Sequence, residues 1–250
     1  MGFSTSPAKR TKIVRKDKGR DGSFESPRSR YNPPVQATAS GSRRKTWAYV
    51  AVCVLIALAI AFTIAWNNGL HDYFYPKAFR VVIPDEVFAS GQINRRLIAG
   101  VISDYHIQRI ISLTDDGPTQ LDEVAERQTA RRMGVQYFLF PLDGNGTGDI
   151  TEYEKTLLEV HQAVARQSPI LVHCFSGAQR TRGWIAFYRL LIQRQPPAQV
   201  EAELTNSTWK ERPSRELFPY LNAHMAQVAQ FLLAHHVISS IPTPLPQLNP

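Results

Sequence analysis

The sequence is poor in cysteine, with Cys53 and Cys174 its only two among 250 residues. A disulfide framework is therefore excluded, and the two thiols stand in unlike surroundings, Cys53 inside an apolar run and Cys174 in a polar loop. There is no CxxC pair, and His106, His161, His224, His235 and His236 show no ligand spacing, so neither a metal nor any other cofactor is predicted. Internal repeats are also lacking. The run 47–66, WAYVAVCVLIALAIAFTIAW, contains no charge over its 20 residues. A soluble helix rarely lacks a polar face over that length.

A formal net charge of +8 suggests a nucleic-acid partner until its distribution is read. Residues 1–45 hold 12 Lys and Arg against Asp17, Asp21 and Glu25, which leaves 17 basic and 18 acidic residues in the rest. The remainder is near neutral, so the basicity belongs to a tail and no nucleic-acid partner is expected. Residues 1–46 are rich in Ser, Pro, Gly, Lys and Arg and are predicted to be a disordered basic tail. Its start, Met-Gly-Phe-Ser-Thr-Ser, fits the loose myristoylation pattern at Gly2 and Ser6.

A helix of about 20 apolar residues spans a hydrocarbon core of about 30 Å. Trp47, Tyr49 and Trp66 lie near the ends of 47–66, where amphipathic rings favour the interface, and Arg43, Arg44 and Lys45 stand directly before it. The segment reads as a retained signal anchor: the preceding region is too long for a signal-peptide n-region, and no small-x-small site follows Trp66. Positive charge is retained on the cytoplasmic side, so the expectation is a cytoplasmic N-terminus with residues 67–250 on the non-cytoplasmic side.

After a juxtamembrane linker at 67–78 the pattern is α/β. Strands are predicted at 79–83, 86–89, 109–114, 135–140 and from Pro169 through PILVH, with helices at 93–105, 119–133, from Thr151 to about 167, 180–193, 197–209 and 214–235. Thr151 and Glu154 suggest a capping box. Alternating strands and helices predict a mostly parallel sheet of about four to five strands flanked by helices, within a domain spanning 79–236. The Pro-rich end, 237–250, is expected to be a tail, loose from 241.

The segment that carries chemistry is His173-Cys174-Phe175-Ser176-Gly177-Ala178-Gln179-Arg180-Thr181. It places a cysteine at the end of a strand and an arginine six positions on, at a helix start. A tight loop running into a helix N-terminus turns several N–H groups into one concavity that suits a tetrahedral oxyanion. The same positive potential favours the thiolate of Cys174, a nucleophile toward phosphorus. Arg180 has the planar fork to hold phosphate oxygens and to stabilise charge in the transition state. Gly177 permits a backbone turn that a Cβ hinders, and Thr181 has a hydroxyl to offer the sulfur. His173 is expected to bond within the loop and help set the thiol's acidity. Phe175, Ser176, Gly177, Ala178, Gln179 and Arg180 would line the phosphate site.

At these residues the chain resembles the protein-tyrosine phosphatase superfamily, and its Val87-Phe88-Ala89-Ser90-Gly91-Gln92 and Ile110-Ile111-Ser112-Leu113 segments resemble the atypical dual-specificity type. The likeness covers about residues 79–195. It implies a dual-specificity-phosphatase-like fold, a phosphocysteine intermediate, no metal, and an Asp proton donor on a loop. Low-molecular-weight phosphatases and arsenate reductases share Cys-x5-Arg, but place it near the domain start. Rhodaneses use a cysteine in an anion loop; His173, Gly177 and Arg180-Thr181 together favour the phosphatase. Arg182 stands where these families often carry glycine, which bears on the helix start. Phe175, Ala178 and Gln179 are uncharged where relatives acting on inositol polyphosphates often carry Lys or His.

The implied donor falls in the glycine-rich loop 141–149, which suits a hinged flap. Asp143, directly after the strand, is preferred; Asp149 is the alternative, although it sits where an acid would cap the next helix. Asp115 and Asp116 follow another strand and read as an exposed acidic turn. The expected substrate is a phosphorylated protein or a small phosphate monoester. Inositol phosphates, phospholipids, and a phosphate-binding module without turnover are the other readings.

Overall fold

The computed structural model describes residues 40–114, 120–206, 208–209 and 211–249. The tail with Gly2 and Ser6, and the acidic turn with Asp115 and Asp116, lie outside them. The first element, α1 (Ser40–Asn67), starts before the predicted Trp47 and takes in Arg43, Arg44 and Lys45. Arg and Lys are good helix formers, and extending an existing helix costs far less than nucleating one. Within it, Lys45–Asn67 is long and apolar enough to cross a membrane, and none of its apolar window is buried.

Residues 67–78, expected to be a plain linker, carry a 3-10 turn at Leu70–Tyr73. Five strands follow: β1 (Arg80–Ile83), β2 (Val87–Ser90), β3 (Arg109–Ser112), β4 (Gln136–Leu139) and β5 (Ile170–His173). They form one sheet in the order β1-β2-β5-β3-β4. Only β1–β2 is antiparallel, and β2–β5, β5–β3 and β3–β4 are parallel, as the alternating pattern predicted. The hairpin turns at Asp85, whose φ is 60°, after Pro84.

β2, β3 and β5 are buried at every position, which their near-continuous apolar runs require of strands covered on both faces. Alternate side chains serve opposite layers. Val87, Ala89, Ile111, Ile170 and Val172 join the core under α4 (Ile150–Ala165), α5 (Gln179–Phe187), α6 (Pro197–Thr205) and α7 (Leu217–Ala234). Phe88, Ile110 and Leu171 face α2 (Ile98–Asp104) and α3 (Leu121–Met133).

Several boundaries differ from the sequence reading. α2 begins at Ile98 rather than 93, because the Asn94 side chain accepts the Arg96 N–H at 3.0 Å and holds a turn there. The predicted helix 180–193 is α5 followed by a wider π turn at Tyr188–Ile192. The capping box is replaced by Asp149, whose carboxylate accepts the Thr151 N–H at 3.0 Å. Glu154 is buried instead and accepts from Gln227 at 3.1 Å.

The C-terminal segment is docked, contrary to the loose tail expected. Val237, Ile238 and Leu248 are buried in the main core. Leu248 N–H donates to Asn222 Oδ1 at 2.9 Å, and Asn222 Nδ2 returns a bond to the Leu248 carbonyl at 2.7 Å. The prolines need no ladder donors, and the apolar residues Ile241, Leu245 and Leu248 among them supply the packing.

Candidate active site

β5 delivers His173 to the carboxyl edge of the sheet, where ligands of open α/β folds are bound. The chain then turns through Cys174–Ala178 into α5. Cys174 is 1% exposed. Its Sγ accepts the Gly177 N–H at 3.3 Å and lies 3.2 Å from Thr181 Oγ1. That hydroxyl also lies 3.4 Å from the Ser90 carbonyl, so its single proton serves the sulfur or the carbonyl. Arg180 Nη1 donates to the carbonyls of Leu113 and Leu142, both at 3.2 Å. One guanidinium nitrogen is thus anchored to the chain leaving β3 and to the chain leaving β4.

The loop is braced from the β2 side. Gln92 N–H donates to the Phe175 carbonyl at 3.1 Å and so fixes its orientation. Gly177 has φ 71°, and a Cβ there would lie 2.6 Å from Gly91 N, so both conformation and space require glycine.

The acidity of the buried thiol follows from competing effects. Burial raises the Cys174 pKa, but the Thr181 hydroxyl, the Arg180 charge and the Thr181 and Gly177 N–H groups outweigh it and leave it below the ordinary thiol value. His173 Nε2 lies 3.0 Å from Glu126 Oε2, both side chains being fully buried. Burial alone disfavours the imidazolium, yet the Glu126 carboxylate prevails and raises the His173 pKa above its usual value.

The two candidate acids occupy different settings. Asp149 is committed to the α4 cap, and the Thr151 N–H and hydroxyl lower its pKa. Asp143 is exposed and directly follows Leu142, whose carbonyl binds Arg180. Its loop is pinned rather than free. Tyr153 Oη donates to the Gly146 carbonyl, Ser214 Oγ to the Asn145 carbonyl and Tyr220 Oη to the Gly148 carbonyl, each at 2.8 Å. A Cβ on Gly146 would meet Leu217 Cδ1 at 2.7 Å. Gly146 and Gly148, which suggested a hinge, permit close packing, while Gly144 has open space around it.

Arg182 leaves the helix start intact. It lies inside α5, fully buried, with Nε donating to the Leu204 carbonyl at 2.8 Å and Nη2 to the Glu211 carbonyl at 2.7 Å. Its guanidinium is 4.3 Å from the Trp209 ring centroid, and burial followed by repulsion from Arg80 lowers its pKa to about 10. Gln179 also ties the loop to this segment, donating to the Arg212 carbonyl at 2.7 Å and accepting the Ser214 N–H at 2.9 Å. A cleft of about 750 Å³ lies alongside, lined by Thr205, Arg212, Ser214, Arg215 and Phe218, and includes none of Cys174–Arg180.

Lys77 was missed by the sequence reading. Its Nζ sits 4.6 Å from the centroid of Phe175, a ring 49% exposed beside the thiol, and its carbonyl accepts the Gly91 N–H at 2.8 Å. A lone lysine in a linker carries no local signal of this position. Among the described residues, no group of three or more His, Cys, Asp or Glu is placed to hold a metal ion.

No family model matches the sequence, and no curated protein matches it. Solved structures do. The P. aeruginosa protein TpbA superposes with a TM-score of 0.51 at 20% identity, over 64% of this chain and 91% of that one. The catalytic domain of the S. cerevisiae PP-IP phosphatase SIW14 superposes at 0.54 and 16% identity, over 68% of this chain and 97% of that one. These likenesses establish a shared fold, the dual-specificity-phosphatase-like α/β fold that the loop resemblance implied.

Proposed function

We propose that this chain is a cysteine-dependent phosphatase that hydrolyses phosphate monoesters, phosphotyrosine or phosphoserine/threonine in proteins, through a phosphocysteine intermediate. The observation that carries this reading is the Cys174 sulfur held by Thr181 Oγ1 and the Gly177 N–H, in one loop with an anchored Arg180. The Cys174 thiolate attacks phosphorus, the P–O bond to the leaving group breaks, and Asp143 protonates the departing oxygen. Water, giving a proton to the Asp143 carboxylate, then cleaves the S–P bond, releasing phosphate and restoring the thiolate as Thr181 donates a hydrogen bond to the sulfur. Arg180 and the loop N–H groups of residues 175–180 stabilise the equatorial oxygens. The exposed Phe175 ring offers a stacking face to a phosphotyrosine.

The test is an acid quench of the full chain in detergent during turnover of a labelled aryl phosphate. Label is expected on the Cys174 peptide; label on another residue, or turnover with none trapped, would sink the covalent route.

Membrane association through 47–66 and the orientation belong to the same proposal. Twelve basic residues precede the apolar run, and this asymmetry supports a cytoplasmic N-terminus with the catalytic domain across the membrane. Protease added outside sealed right-side-out cells or spheroplasts should digest 67–250 and spare the tail. Protection of that domain, with lysis restoring digestion, would invert the assignment.

A further inference from the structure

We propose that Glu126 is a positioning residue of the reaction centre. Its carboxylate, held between the His173 ring and the Gln92 amide, fixes the charge of His173 and the orientation of the Phe175 carbonyl, and so keeps Cys174 a thiolate in a formed cradle. The inference rests on the reading of Cys174 as the nucleophile.

Glu126 reaches the phosphate loop by two routes. Its Oε2 lies 3.0 Å from His173 Nε2, in the residue next to Cys174. The same oxygen accepts from Gln92 Nε2 at 3.2 Å, while the Gln92 N–H binds the Phe175 carbonyl at 3.1 Å. Glu126 and His173 are both fully buried, so little water screens their charges.

A purely stabilising role explains this poorly. Burying two charges carries a desolvation cost that an apolar pair of similar volume avoids, often with no loss of stability. The arrangement also leaves Glu126 Oε1 and both ring nitrogens of His173 buried without a hydrogen-bond partner, so the 3.0 Å approach of His173 Nε2 to Glu126 Oε2 is a contact of charges rather than an aligned hydrogen bond. What the carboxylate does supply is a buried anion 3.0 Å from the adjacent imidazole, which keeps that ring protonated.

Other groups surround the pair. Tyr137 on β4 faces Glu126, Glu123 and Arg127, and burial with the two carboxylates raises its pKa, so it contributes no charge at neutral pH. Cys174 and Arg180 stand on the loop side. Cys174 is among the charges that raise the His173 pKa, so a protonated His173 favours the thiolate in turn. Removing the anion lets the buried imidazole lose its proton, and the sulfur then loses its neighbouring positive charge.

The test follows alkylation of the Cys174 peptide by iodoacetamide against pH, on the full chain in detergent. Glu126→Gln should move the midpoint up by about one unit, which is about tenfold less thiolate below both midpoints and no difference above them. His173→Asn should give the same upward shift, and combining the two should add nothing. Glu126→Asp, which keeps the charge, should recover most of the wild-type midpoint. An unchanged midpoint in Glu126→Gln, or additive shifts in the double variant, would overturn the proposal. Should Glu126→Gln fail to fold by circular dichroism, an unchanged midpoint in His173→Asn overturns it alone. The readout needs no turnover. Persistence of turnover after complete Cys174 alkylation would instead refute the reading of Cys174 as the nucleophile and leave the midpoints interpretable.

Discussion

Cys174→Ser is expected to leave essentially no turnover of an aryl phosphate, a loss of roughly 10⁴-fold or more, while inorganic phosphate still binds. A serine hydroxyl at this position stays protonated near neutral pH, because the interactions that lower the thiol pKa fall far short of what an alcohol requires. The Thr181 hydroxyl, the Arg180 charge and the Gly177 N–H surround the sulfur and would find a neutral oxygen in its place. The cradle itself should persist. Its shape depends on the Gln92–Phe175 and Gly91–Gly177 contacts, none of which involves the sulfur. Steady-state turnover and phosphate calorimetry on one preparation separate the two effects. Wild-type turnover in the variant would rule out a cysteine nucleophile, and loss of phosphate binding would show that the sulfur also organises the loop.

Asp143→Asn should slow hydrolysis of alkyl phosphates by about 10²–10⁴-fold, the range of general acid catalysis. Aryl phosphates whose leaving groups need no proton should lose much less. The side chain is exposed, and its residue directly follows Leu142, whose carbonyl accepts from Arg180, on a loop pinned by Tyr153. Asp149→Asn serves as the control. Asparagine caps a helix about as well as aspartate, so both the fold and turnover should stay near wild type. The measurement is kcat/KM across esters graded by leaving-group pKa. A steep dependence appearing in Asp149→Asn rather than Asp143→Asn would transfer the role.

The long apolar helix and the turn from β5 into α5 were legible because each is written in contiguous residues. Twenty uncharged positions have few soluble solutions, and the PILVH run ahead of Cys174, with Gly177 and Arg180 following, specifies strand, turn and helix locally. The buried strands β2, β3 and β5 announced themselves by apolar runs too short for helices. Even Asp149 as a cap could be anticipated, since capping is a contact between near neighbours.

The rest depended on which strands became neighbours. Insertion of β5 between β2 and β3 sets Ser90 and Gly91 against the loop 174–178 and puts the end of β3 within reach of Arg180. Lys77 meets Phe175, and Glu126 meets His173, through that same strand order. Neither pair has a sequence period or spacing to betray it. The glycine-rich acid loop read as a hinge because glycine permits motion, but it is packed and pinned by Tyr153, Ser214 and Tyr220 from distant elements. The Pro-rich end read as loose because proline cannot join a ladder, yet Leu248 found a pocket and Asn222 a backbone to bind. Local periodicity and turn chemistry fix what each segment becomes. Long-range burial and hydrogen bonding fix which segments meet, and that decided what stands around the thiol of Cys174.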